Sequence, residues 1–186
     1  RDYLDTQVTD WLQVHGGYHF CGFYSLDKAA FLSLPALLRQ RVLRHVMARM
    51  GPVKFAPPNT SLTHATELIA ARESGGHTLG GCMIRWRANE IMIGREVAAL
   101  DALPPVPLAR GGRVWDRRFF VKIRGGKKAK TGLFAAPLGG EGLGRLERAG
   151  LQVPKAVPRC YLHVLPAVFD ADGLISCPVL AKQNRV

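Results

Sequence analysis

The residues best suited to chemistry in this chain are cationic. Arg117, Arg118, Lys122, Arg124, Lys127, Lys128 and Lys130 fall in one short stretch, with Trp115, Phe119 and Phe120 interleaved among them. Like charges at that density repel one another unless a polyanion neutralises them. A phosphate backbone does so with release of its condensed counterions. The rings have two readings: platforms for unpaired bases in an RNA-binding sheet, or the inward face of an ordinary strand. Arg85 and Arg87, with Arg95 nearby, form a second group that extends the same positive field or is simply solvated. Arg117, Arg118, Lys122, Arg124, Lys127, Lys128, Lys130, Arg85 and Arg87 are therefore the expected RNA-binding residues.

Other constellations are weaker. Ser74-Gly-Gly-His-Thr invites comparison with the Ser-Gly-Gly-x-Asp-Ser loop that holds pyrophosphate in ATP-dependent adenylating enzymes, but Thr78-Leu79 replaces the Asp-Ser pair. Gly75-Gly76 is expected to be a helix stop. Gly125-Gly126-Lys127-Lys128 lacks the glycine spacing and Lys-Ser/Thr pair of a nucleotide P-loop. His15, His19 and Cys21 are close in sequence, yet Gly16-Gly17 interrupts them and no second ligand pair follows, whereas a structural zinc site needs four convergent ligands. His45, His64, His77 and His163 are scattered, with no adjacent serine or cysteine to form a nucleophile-base pair. No catalytic residue, metal site or cofactor is assigned to the chain itself.

The elements that must position the cationic cluster read as an α+β fold: an N-terminal helical part followed by a small, mostly antiparallel sheet with short helices. The expected division is 1–76, helical and substrate-recognising, and 77–186, basic and α+β. Asp27 is placed to cap a short helix reaching Leu34. From Pro35 to Met50, Leu38, Val42, Val46 and Met50 step by four with Leu43 and Met47 beside them, one broad helical stripe that Gly51-Pro52 ends. Arg39 and Arg49 fall within that stripe and must extend their charged heads past it. A second helix carries Leu62, Ala65, Leu68 and Ile69. After Gly76 the period changes to two: Cys82, Ile84 and Trp86, then Ile91 and Ile93, read as a hairpin. A third strand is expected from Val114 to Ile123, and a short helix at Leu143 to Arg148. Two short strands, Tyr161 to Val168 and Leu174 to Leu180, are expected around the turn Asp170-Ala-Asp-Gly173.

Composition agrees with a charged partner for a folded protein. The 186 residues are 47% hydrophobic and 22% charged, enough apolar material to build a core. The 26 Lys and Arg against 14 Asp and Glu leave a formal +12 and an isoelectric point near 10.1. No apolar run approaches a membrane span and no signal peptide opens the chain, so no membrane partner is expected and the cytoplasm is the expected location. Cys21, Cys82, Cys160 and Cys177 are dispersed and read as buried thiols in a reducing compartment.

The order of these segments resembles the region after the catalytic domain of bacterial tRNA(Ile)-lysidine synthetases. Leu34-Pro-Ala-Leu-Leu-Arg-Gln-Arg-Val-Leu-Arg up to Met50-Gly51 looks like that family's helical substrate-recognition segment, and Pro57-Pro58 precedes its next helix. Thr78-Leu-Gly-Gly-Cys82, Gly94-Arg95-Glu96, Trp115-Asp116, Arg118-Phe119, Leu165-Pro166, Gly173 and Pro178 follow in the family's order. Two positions depart from the pattern: Val97 stands where proline is expected, and Arg117 where a glycine often separates the aspartate and arginine. The resemblance implies a whole enzyme that activates the wobble cytidine of an isoleucine tRNA with ATP and magnesium, then joins lysine to that base. Its catalytic residues would lie in an N-terminal domain acting in cis, absent from a chain that starts at Arg1 without an initiator methionine. What carries over is tRNA recognition, with a homodimer as a further candidate assembly. Two other readings fit the residues: a free-standing basic RNA-binding module, and a protein-interaction domain that docks through its apolar helices.

Overall fold

The structure, a computed structural model, describes residues 2–52, 56–101, 104–108, 111–123 and 132–181. The chain forms a mixed α+β fold of two compact units, Arg1–Glu96 and Val97–Val186. In sequence the compact units divide between Glu96 and Val97, whereas the expected parts divide between 76 and 77. Strand pairing is the reason: the hairpin after Gly76 completes a sheet begun far upstream.

The first unit runs α1 (Asp2–His15), β1 (Gly16–His19), β2 (Phe23–Asp27), α2 (Lys28–Ser33), α3 (Ala36–Met50), α4 (Asn59–Ala71), β3 (Gly75–Leu79), β4 (Cys82–Trp86) and β5 (Glu90–Arg95). Among the described residues its strands form one antiparallel sheet in the order β1-β2-β5-β4-β3, with β5 held between β2 and β4. Leu26, Ile91, Ile93, Ile84, Trp86 and Cys82 share one face and join a core with Val8 and Leu12 of α1, Val42, Leu43, Val46, Met47 and Met50 of α3, and Leu62, Ala65 and Ile69 of α4. Fully burying a Val, Leu, Ile or Met side chain contributes roughly 1.5–3 kcal/mol before chain entropy is counted. The helical stripe read from Pro35 to Met50 is therefore the inner face of α3. Asp27 caps α2 as expected, its carboxylate accepting from the Ala30 amide at 2.8 Å.

Gly75-Gly76, expected to stop a helix, instead opens β3. The Trp86 indole lies directly over Gly75, where a side chain would collide with it, so close approach and not a helix end explains the glycine. Helix α4 has already ended at Arg72, whose carbonyl accepts from Lys28 Nζ at 2.8 Å and Trp86 Nε1 at 3.2 Å. Lys28 also donates to the Glu73 carbonyl at 3.0 Å and is only 5% exposed. A buried ammonium thus satisfies carbonyls that the end of α4 leaves without helical partners.

The second unit runs α5 (Ala98–Asp101), β6 (Val106–Pro107), β7 (Arg113–Trp115), β8 (Phe119–Val121), β9 (Phe134–Pro137), α6 (Gly139–Arg148), α7 (Arg159–His163), β10 (Pro166–Asp170), β11 (Gly173–Ser176) and α8 (Pro178–Ala181). Its described strands form a sheet in the order β11-β10-β9-β6 and a separate hairpin of β7 and β8. The turn before Gly173 joins two strands as expected, but their neighbours differ from expectation: Arg159–His163 and Pro178–Ala181 are helical turns. Trp115, Leu100, Val121, Ala135 and Val164 form a core cluster of this unit.

Candidate nucleic-acid interface

The stretch expected as one strand from Val114 to Ile123 is a tight hairpin. Asp116 and Arg117 have φ of 47° and 58°, and the Arg118 amide donates to the Trp115 carbonyl at 3.2 Å. Two successive left-handed residues turn the chain sharply, and three residues separate the paired Trp115 and Phe119. Arg117 occupies a position where glycine carries no steric cost, the same position at which the sequence departs from the family pattern.

This turn separates the expected RNA-binding residues into different roles. Arg117 is at the exposed tip, and Lys122 is exposed just beyond β8. Arg118 is drawn inward: its side chain is 1% exposed, Nε and Nη2 both lie 2.7 Å from Asp116 Oδ2, and Nη2 donates to the Val164 carbonyl at 3.3 Å. The Asp116 side chain is 3% exposed, and the guanidinium stands 5.2 Å from the Phe119 ring centroid. Arg118 is thus a buried structural cation, out of reach of a phosphate. Arg124, Lys127, Lys128 and Lys130 lie outside the described residues.

The aromatic residues divide in the same way. Trp115 is buried and Phe119 packs against it, with ring centroids 6.1 Å apart, so both belong to the core. Phe120 points the other way and is 64% exposed, opposite Val114 across the hairpin. Its ring rests over Gly112, where a Cβ would come within 2.6 Å of Phe120 Cζ. Of the three rings, Phe120 alone is accessible for stacking.

Arg85 and Arg87 are exposed, Arg85 in β4 and Arg87 just after it, whereas Arg95 at the end of β5 is 3% exposed. Charge is unevenly shared. Residues 97–186 hold 15 Lys and Arg against 6 Asp and Glu, a net +9, while residues 1–96 hold 11 against 8, a net +3. The strong field therefore belongs to the second unit.

The first unit offers shape instead. Two adjoining cavities of about 490 and 420 Å³ share Ser61 and Leu79 and form a groove between the start of α4 and the edge strand β3. One end is lined by Pro52, Pro57 and Pro58 with Gly80 and Gly81, the other by Thr60, His64, His77 and Thr78. Gly80, at φ +56°, lets the chain turn beneath Pro57. The His64 and His77 rings meet edge to face at 5.7 Å. Burial, and then the neighbouring His64, holds the His77 imidazole below its ordinary range. The sequence names Pro57-Pro58, Thr78-Leu-Gly-Gly-Cys82, His64 and His77 separately, but no spacing brings them together, because the groove joins residues from a loop, a helix and a strand.

Two of the other histidines have local partners, and one buried thiol is held protonated. His19 Nδ1 accepts from the Cys21 amide at 3.1 Å while its ring stacks on Phe23 at 4.3 Å, and His15 packs against Trp11. Cys177 is buried, its thiol pushed up to about 11 by desolvation, which disfavours the thiolate. No helix among the described residues is long and apolar enough to cross a membrane.

Comparison with known proteins places this geometry in context. Residues 26–92, from the end of β2 to the middle of β5, match the family model described as the TilS substrate binding domain. Every residue lining the groove falls inside that match. The chain is also 29% identical over 159 residues, or 86% of its length, to the tRNA(Ile)-lysidine synthase of Ruegeria pomeroyi, covering 35% of that protein. It therefore spans about a third of the length of that curated relative. These two findings bear out the resemblance read from the sequence: the chain is similar to a substrate-binding portion of the tRNA(Ile)-lysidine synthases.

Proposed function

We propose that the chain binds and positions an isoleucine tRNA whose wobble cytidine is converted to lysidine by an ATP-dependent ligase domain acting in cis, in the cytoplasm. The observation that carries this reading is the match of residues 26–92 to a substrate-binding domain model, supported by the likeness of most of the chain to a tRNA(Ile)-lysidine synthase. The two units contribute differently. The first supplies a shaped surface with modest charge, and the second a strong positive field in which Arg117 and Lys122 are exposed cations. Phosphate contacts of that kind hold and orient an RNA without reading its sequence, whereas shaped contacts with unpaired nucleotides discriminate. ATP and magnesium belong to the ligase domain in this reading, and no residue of the chain is assigned to them. Size-exclusion chromatography with and without isoleucine tRNA tests the proposal. Co-elution is expected at moderate salt, and separate elution of protein and tRNA at low micromolar concentration contradicts it.

A further inference from the structure

We propose that the groove between α4 and β3 seats one unpaired nucleoside of a bound RNA, its base against the proline wall and its polar edges at the hydroxyl and imidazole groups. The inference rests on the tRNA-binding reading above and adds a site to it. Three features favour this occupant.

The two adjoining cavities, about 490 and 420 Å³, fall within the ~300–1,000 Å³ typical of small-ligand sites. One end is apolar: Pro52, Pro57, Pro58 and Leu79 line it with ring and methyl groups, which suit the face of a base. The other end offers the hydroxyls of Thr60, Ser61 and Thr78 and the imidazoles of His64 and His77, which can both donate and accept. That pairing matches a nucleoside, whose base has an apolar face and a polar edge and whose ribose carries the 2′-hydroxyl that marks RNA.

The charge of the groove points the same way. Among the described residues neither a carboxylate nor a lysine or arginine lines the groove, and the described lining suits a neutral nucleoside whose phosphates remain outside. Finally, all the lining residues fall within the stretch that matches the substrate-binding model, so the groove belongs to the part of the chain expected to meet the substrate.

The test uses the whole chain and two RNAs, folded isoleucine tRNA and a blunt, fully paired RNA duplex of the same number of nucleotides. Fluorescence anisotropy gives both affinities for wild type, for Ser61→Phe, which fills the groove, and for the double variant His64→Ala/His77→Ala, which removes its imidazoles. Circular dichroism checks folding, and the double variant carries the test if Ser61→Phe unfolds. The expected result is a loss of about tenfold in tRNA affinity with the duplex affinity unchanged, the size expected for removing one seated base. Folded variants that bind tRNA as wild type does, or that lose both RNAs equally, overturn the groove and leave the tRNA-binding reading standing. A wild-type chain that binds neither RNA overturns the tRNA-binding reading, and the groove with it.

Discussion

Replacing Asp116 with asparagine separates structure from binding in the basic hairpin. The Arg118 guanidinium, 1% exposed, has Nε and Nη2 each 2.7 Å from one carboxylate oxygen that is itself buried. Asp116→Asn takes from a buried cation the carboxylate that pairs with it at 2.7 Å, and breaking such a buried pair typically costs about 3–5 kcal/mol. That is a large part of the roughly 5–15 kcal/mol that stabilises a domain. Urea unfolding followed by tryptophan fluorescence reports on this unit through Trp115, which lies in its core cluster. With a slope of ~1–2 kcal/mol per molar urea, the transition that includes Trp115 should move down by at least ~1.5 M. Adding Arg118→Met to the Asp116→Asn variant removes the buried charge that the carboxylate balanced and should recover much of the loss. If Asp116→Asn leaves the transition within about 0.3 M of wild type while RNA affinity is lost, Arg118 is a binding residue and not a structural cation.

Three further predictions follow from local geometry. Lys28→Met removes two bonds from a buried ammonium to the Arg72 and Glu73 carbonyls, of which Arg72 keeps Trp86 Nε1. After relief of ammonium desolvation the net loss in stability should be about 2 kcal/mol, and a change below about 0.5 kcal/mol in urea unfolding argues against the role. Arg117→Gly relieves a left-handed backbone at φ 58° and should stabilise the second unit by about 0.5–1 kcal/mol relative to Arg117→Ala, a difference measurable by thermal unfolding. Because His77 is held below 6.5 in the folded chain, the unfolded chain binds more protons as pH falls through 6.5. Stability of the first unit should therefore decline from pH 7 towards pH 5. His77→Gln should make urea midpoints less pH-dependent, though His19 and His45, also lowered mainly by burial, keep part of the slope.

The sequence made α3, α4 and the β4-β5 hairpin legible because each has a strong apolar period: Val42, Val46 and Met50 by four, and Ile91 and Ile93 by two. It hid α1, whose apolar residues Val8, Leu12 and the half-buried Trp11 are diluted among polar ones. It also hid the place of β1 and β2, because pairing of β2 with β5 joins residues that are far apart in the chain. Gly75-Gly76 misled because a glycine pair marks a helix end and a close approach equally well, and only the position of Trp86 distinguishes them. The basic cluster was visible as charge, but not the turn at Asp116 and Arg117 that sends Arg118 into the core and Phe120 outward. The groove left no trace in spacing, since Pro57, Ser61 and His77 come together through tertiary packing alone.

Recognition of a folded tRNA by this chain is measured by competition between isoleucine tRNA and a single-stranded RNA of equal length at moderate salt. A clear preference for the folded tRNA is expected, with a linear fall in log affinity with log salt that becomes shallower when Arg117, Lys122, Lys127, Lys128 and Lys130 are reversed in charge. Equal affinity for the two RNAs, with a salt slope untouched by those reversals, would contradict it.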